Sequence, residues 1–99
     1  MARFDVYKNP DGSGYLLDVQ ADLLDHLNTR VVVPLMLPSE APSPAKQLNP
    51  TFQIGTETVV MMSQFISAVP KSILNAPLTS LENHDIEIID AIDMVMQGF

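Results

Sequence analysis

Hydrophobic and polar residues alternate with a period near two over most of this chain and switch to a helical period only towards its end. From Ala2 to Tyr7, Phe4 and Val6 fall on one side and Arg3, Asp5 and Tyr7 on the other, the pattern of a half-buried strand. Asn9-Pro10-Asp11-Gly12-Ser13-Gly14 is dense in turn formers and joins this strand to a second, Tyr15 to Val19, so the chain opens as an antiparallel hairpin. Gln20 to Leu27 holds Leu23, Leu24 and Leu27 but ends at Asn28, which predicts a wide connection or a single helical turn. Thr29 to Leu37 is the most β-branched segment, and Pro34 within it cannot donate to a ladder, which predicts an edge or a bulge there. After the proline-rich stretch from Pro38 to Lys46, Thr51 to Ile54 and Thr58 to Met62 flank a hairpin loop, and Ser67 to Val69 gives a further short strand.

The last stretch, Leu81 to Phe99, reads as one helix that runs from Leu81 to Gln97, within two residues of the end. Thr79 as N-cap with Glu82 three residues on would form a capping box. Leu81, Ile88, Ile89, Ile92, Val95 and Met96 recur at steps of three, four and seven and predict a core face, while Glu82, Asp85, Glu87, Asp90 and Asp93 fill the opposite side. Carboxylates in the first turn suit the positive end of the helix dipole. Asp90 and Asp93 lie towards its negative end, where each costs a few tenths of a kcal/mol, so helix stability does not account for them. The expected fold is mainly β with one C-terminal α-helix, a single domain over residues 1–99.

Composition narrows the function. With 46% hydrophobic residues the chain supplies a core for one domain. The absence of cysteine removes disulfides, thiolate metal sites and cysteine nucleophiles, and fits a reducing cytoplasm. The longest apolar run, Val31 to Leu37, is broken by Pro34 and is far short of the ~18–20 residues of a membrane span; the N-terminal residues lack the apolar core of a signal peptide. A soluble cytoplasmic protein is expected. A formal charge of −7 opposes direct nucleic-acid binding and favours a basic protein surface as partner.

Chemistry is sparse. His26 and His84 have no second ligand at a fixed spacing, and the acids of the terminal helix lack the interspersed oxygen donors of a cation loop, so neither metal nor cofactor is expected and no catalytic residue is assigned. Met61-Met62 reads as core packing. Asp18, closing the second strand, is placed to form a structural ion pair with Arg30 on the next. Neither a phosphate-binding glycine loop nor a nucleophile elbow occurs.

Four segments together carry more information: Phe4-Asp5-Val6-Tyr7; Asp18-Val19-Gln20-Ala21-Asp22-Leu23-Leu24-Asp25 followed by Arg30-Val31-Val32-Val33-Pro34-Leu35; Ile54-Gly55 with Met61-Met62; and Val69-Pro70 leading to Ala91-Ile92-Asp93-Met94-Val95-Met96-Gln97-Gly98-Phe99. In this order they resemble the CcdB toxin family of bacterial toxin–antitoxin systems, over essentially the whole chain. The resemblance implies an SH3-like β-barrel with a smaller added sheet and a C-terminal helix, assembled as a symmetric homodimer. It implies a non-enzymatic poison that enters the dimerisation region of the DNA gyrase A subunit and traps the enzyme on cleaved DNA. It also implies neutralisation by a CcdA-like antitoxin with a disordered C-terminal segment. The family's gyrase contacts correspond here to Ala21, Leu23, Asp93, Met96, Gln97, Gly98 and Phe99. Where the best-known member ends Trp-Gly-Ile and grips a gyrase arginine between two tryptophans, this chain has Gln97-Gly98-Phe99; where that member has asparagine, it has Asp93. An aromatic clamp on a guanidinium contributes ~0.5–2 kcal/mol, which a glutamine amide replaces only in part. Two other readings stand beside this one: a messenger-RNA endoribonuclease of the MazF group, which shares the barrel, and a CcdB-like antitoxin-binding protein that no longer poisons gyrase.

Overall fold

The computed structural model describes residues 2–98. Seven antiparallel strands, β1 (Asp5–Lys8), β2 (Tyr15–Asp18), β3 (Thr29–Met36), β4 (Thr51–Ile54), β5 (Glu57–Met61), β6 (Ser67–Pro70) and β7 (Thr79–Ser80), precede the helix α1 (Asp85–Gln97). The sheet runs β4-β5-β3-β2-β1-β7, with β6 also paired to β3, and curls into a nearly closed barrel. The expected class, mainly β with one C-terminal helix, is the observed one.

Strand β3 organises the sheet. One edge of it follows β2, Tyr15 facing Leu35 and Asp18 facing Val32. The other edge is shared, Thr29 to Val32 pairing with β6 and Leu35 and Met36 pairing with β5. Pro34 therefore lies in the most central strand, and the edge alternative of the sequence expectation is corrected. The physical reason lies in the alternation of backbone groups. Val31 accepts a bond from the Val19 amide on the β2 side, so even-numbered residues of β3 face β5 and β6, and the Pro34 carbonyl accepts from Met62 N–H at 3.0 Å there. The donor that Pro34 lacks would have pointed into the interval where β6 has ended and β5 has not begun.

Both faces of the sheet are covered, which explains the unbroken valines of β3. Val6, Leu17, Val33 and Leu35 point towards Phe52, Val59 and Met61 and towards Leu81, Ile88 and Ala91. On the opposite face, Tyr7, Leu16 and Val32 are closed over by Leu74, Val69 and Ile73. Gly14 is required for this packing: its φ is +83°, and a Cβ built there would lie 2.5 Å from the Leu35 carbonyl oxygen.

Three further expectations are corrected. The first strand starts at Asp5, not Ala2, because Phe4 takes a φ of 74° and turns the chain as its ring enters the core. This left-handed position costs on the order of 1–3 kcal/mol; it is held by Phe4 N–H donating to the Asp18 carbonyl at 2.6 Å and the Phe4 carbonyl accepting from Leu81 N–H at 2.9 Å. The terminal helix starts at Asp85, not Leu81, and Thr79 is no cap. Thr79 and Ser80 pair with Val6 and Asp5 as β7, Leu81 is drawn into the core, and a 3₁₀ turn, Glu82–His84, leads into α1 without a side-chain cap. Finally, Met96 is 61% exposed, and Ala91 with Ile88 centres the buried face instead.

Candidate functional site

At thirteen residues, α1 is about 20 Å long. With Ile88 and Ala91 turned inward, Ile86, Asp90, Asp93 and Gln97, spaced i, i+4, i+7 and i+11, line its outer face. Ile86 is 72% exposed, Asp90 and Gln97 are exposed, and Asp93 is half-buried. No basic residue occupies the last turn, so the carboxylates there have no neutralising neighbour on the helix. The sequence reading did not select Ile86; its four-residue spacing from Asp90 was the available signal. Gly98 ends the helix with φ +82°, its N–H donating to the Met94 carbonyl at 2.9 Å. Nothing lies within 4 Å of a Cβ built on Gly98, so glycine serves the left-handed backbone there and not a tight contact. Phe99, also predicted as a contact residue, falls outside the described residues.

Ala21 and Leu23 belong to a different part of the surface. The expected single turn is a 3₁₀ turn, Asp22–Leu24, which Ala21 introduces with an extended backbone, and Leu23 is 87% exposed. The helix packs chiefly on the 3₁₀ turns Ser63–Phe65 and Glu82–His84, and makes no comparable contact with the turn at Asp22. The predicted contact residues thus form two patches within one chain.

Beneath the second patch lies the ion pair expected from sequence. Arg30 Nε donates to Asp18 Oδ2 at 2.8 Å, Nη2 stands 2.6 Å from the same oxygen, and both side chains are wholly buried. Nη1 reaches outward to Asp25 Oδ1 at 2.9 Å, and Gln20 N–H donates to Asp18 Oδ1 at 3.0 Å. Burial raises the Asp18 pKa above the usual carboxylate value, against the opposing effect of the Arg30 and Gln20 bonds. The nearby Tyr7 hydroxyl, also buried, is pushed up to about 12 by desolvation and by the charges of Asp5 and Asp18.

A third feature escaped the sequence reading. An open cavity of about 390 Å³ lies at the β1–β2 tip, bordered by Lys8, Ser13, Tyr15, Leu37, Glu57 and Leu78. Its walls are tied by Tyr15 Oη donating to Glu57 and by Ser13 Oγ donating to Glu40 at 2.6 Å. The density of turn formers around Gly12 was the only mark of it. Among the described residues, no three His, Asp or Glu side chains converge as a metal-binding group, and no helix is long and apolar enough to cross a membrane.

A small, nearly closed β-barrel capped by one helix is the architecture of toxins whose structures are known. The chain superimposes on an "Endoribonuclease in complex with its cognate antitoxin from Mycobacterial species" with a TM-score of 0.78 and 17% identity, covering 97% of this chain and 94% of that one. An "Endoribonuclease from Mycobacterial species" gives 0.79 at 16% identity, covering 97% and 90%. "Mycobacterium tuberculosis toxin MazF-mt6" gives 0.72 at 12%, covering 93% of each chain. At these identities the likeness is one of fold. The family is fixed by sequence: the model described as "CcdB protein" matches residues 3–98, and the chain belongs to the CcdB family, toxins of toxin–antitoxin systems.

Proposed function

We propose that this protein is a homodimeric gyrase poison. The dimer presents its two α1 outer faces and chain ends to the dimerisation region of the DNA gyrase A subunit, and a CcdA-like antitoxin displaces or blocks it. The observation that carries the reading is the outer face of α1, where Asp90, Asp93 and Gln97 stand on one stripe beside the Gly98 turn with no basic residue on the helix itself; Lys46 borders only the Glu87–Asp90 end of that stripe. That face suits an arginine on a partner: a carboxylate and an amide supply charge-assisted and neutral hydrogen bonds to a guanidinium. Met96 is exposed, and so is Phe65 on the 3₁₀ turn against which α1 packs; apolar surface of this kind at a helix end supports a two-fold interface between copies.

The endoribonuclease reading draws support from the fold of the structural neighbours. Charge counts against it. Of five Lys and Arg residues, Arg30 is buried in its ion pair, Lys71 bonds the Asp25 carbonyl, and Arg3 lies over the Phe4 ring, which leaves little cationic surface for a phosphate backbone. Calorimetric titration into the isolated dimerisation fragment of gyrase A, beside sedimentation of the free protein, tests the proposal. The expected result is saturable binding by a species of twice the chain mass. A monomer that does not bind would remove both parts of it.

A further inference from the structure

Residues 21–28 contain no buried side chain, yet Leu23, Leu24 and Leu27 are 87%, 42% and 38% exposed. A segment with three leucines in water and no apolar anchor has nothing hydrophobic to fix its shape, so its order must come from polar bonds. These are present. Gln20, itself buried, donates from Nε2 to the Leu24 carbonyl at 3.0 Å while its Oε1 accepts from Val31 N–H at 3.1 Å. Lys71 Nζ donates to the Asp25 carbonyl at 3.2 Å, and Arg3 N–H to Asp22 Oδ1 at 2.8 Å. Arg30 Nη1 donates to the Asp25 carboxylate at 2.9 Å, although Asp18 alone already neutralises the buried guanidinium. A second carboxylate that is half exposed adds little to folding, since solvent screens the pair. What it does is join the rigid centre of β3 to the loop.

We infer that Arg30 acting through Asp25, together with Gln20 acting through the Leu24 carbonyl, is a positioning device that holds Leu23, Leu24 and Leu27 as one apolar contact surface for the protein partner. The inference rests on the reading that Ala21 and Leu23 meet gyrase A, and it extends that contact to Leu24 and Leu27. Asp25 is a positioning residue and touches no partner in this account.

The test compares Asp25→Ala with Asp25→Asn in the full chain. Both remove the charge, but asparagine keeps an acceptor for Arg30 Nη1. The loop amides of Leu24, Asp25 and Leu27 donate within the turn, to Ala21, Asp22 and Leu24, and report its order by hydrogen exchange. In Asp25→Ala these three amides are expected to exchange about tenfold faster with a much smaller fall in melting temperature than Asp18→Ala gives, and binding to the gyrase A dimerisation fragment to weaken about tenfold. Asp25→Asn is expected to restore most of both. Because Asp25 works by presenting Leu23, the double variant Leu23→Ala/Asp25→Ala is expected to bind no more weakly than Leu23→Ala alone. Unchanged exchange in Asp25→Ala, or losses that add in full in the double variant, would overturn the positioning role. A wild-type protein that fails to bind the fragment overturns the gyrase reading and the occupant named here, whereas the exchange measurement still decides whether Asp25 orders the loop.

Discussion

Replacing Asp18 with alanine removes the acceptor of Arg30 Nε and the charge 2.6 Å from Nη2, and it also orphans the Gln20 N–H. A guanidinium inside the protein would then keep only the half-exposed Asp25. Breaking one partner out of a buried pair costs about 3–5 kcal/mol, and one or two unsatisfied buried donors at about 1–3 kcal/mol each lead to the same range. For a domain near this size, each kcal/mol lowers the melting temperature by roughly 4–8 °C, so Asp18→Ala should melt on the order of 15–30 °C lower, or fail to fold. The raised Asp18 pKa points the other way for the pair as a whole: burial costs the carboxylate more than Arg30 returns. Removing both charges with shape-filling residues, Asp18→Leu with Arg30→Met, should therefore recover most of the loss. Thermal and urea unfolding of the two variants measures this directly. A loss below about 1 kcal/mol in Asp18→Ala, or a double variant as unstable as the single, would refute the reasoning that an uncompensated buried charge is what matters.

Further outcomes are expected elsewhere. Gln97→Trp should tighten binding to the gyrase A fragment several-fold by stacking on a guanidinium, with little change in stability because Gln97 is exposed; calorimetry of both proteins checks it. Deleting Gln97, Gly98 and Phe99 removes the Gly98-to-Met94 bond but no described core residue, so unfolding should shift by about 1 kcal/mol or less while growth inhibition is lost. Tyr7 links stability to alkaline pH. Its folded pKa of about 12 exceeds the ordinary tyrosine value of 10.0, so the unfolded chain loses this proton first; the contribution is intact below pH 10 and is lost as pH rises to about 12, up to ~3 kcal/mol in all. Tyr7→Phe should flatten that part of the stability profile.

Much of this was legible in the sequence because period and turn chemistry act locally. The hairpin from Asp5 to Asp18, the long β3 and the short turn after β2 follow from alternation, from the Asn9–Gly14 turn formers and from Asn28. The Asp18–Arg30 pair was legible because one charged residue ends an apolar strand and the other lies near the start of the next, and the two strands pair with each other. Where the reading failed, a long-range contact overrode a local preference. The capping pattern at Thr79 and Glu82 is sound in isolation, but Leu81 bonds the Phe4 carbonyl and Thr79 pairs with Val6, so Thr79 and Ser80 became strand. Pro34 reads from sequence as an edge or a bulge, and the edge alternative fails because periodicity cannot show that two different strands share one side of β3. Of the candidate site, the outer position of Asp93 and Gln97 follows from helical spacing. The polar anchoring of the Leu23 turn by Gln20, Arg30 and Lys71 depends on side chains from distant elements, and no spacing rule reveals it.

The central claim, that the protein kills by trapping gyrase, is tested most directly by inducing it in two otherwise identical bacterial strains, one of them carrying a gyrase A subunit altered in its dimerisation region. The measured quantities are growth and the amount of gyrase covalently attached to cleaved DNA. The account predicts growth arrest with accumulation of the cleaved complex in the ordinary strain, and neither in the altered one. Equal arrest in both strains, with messenger RNA degraded and no cleaved complex, would contradict it and establish the endoribonuclease reading instead.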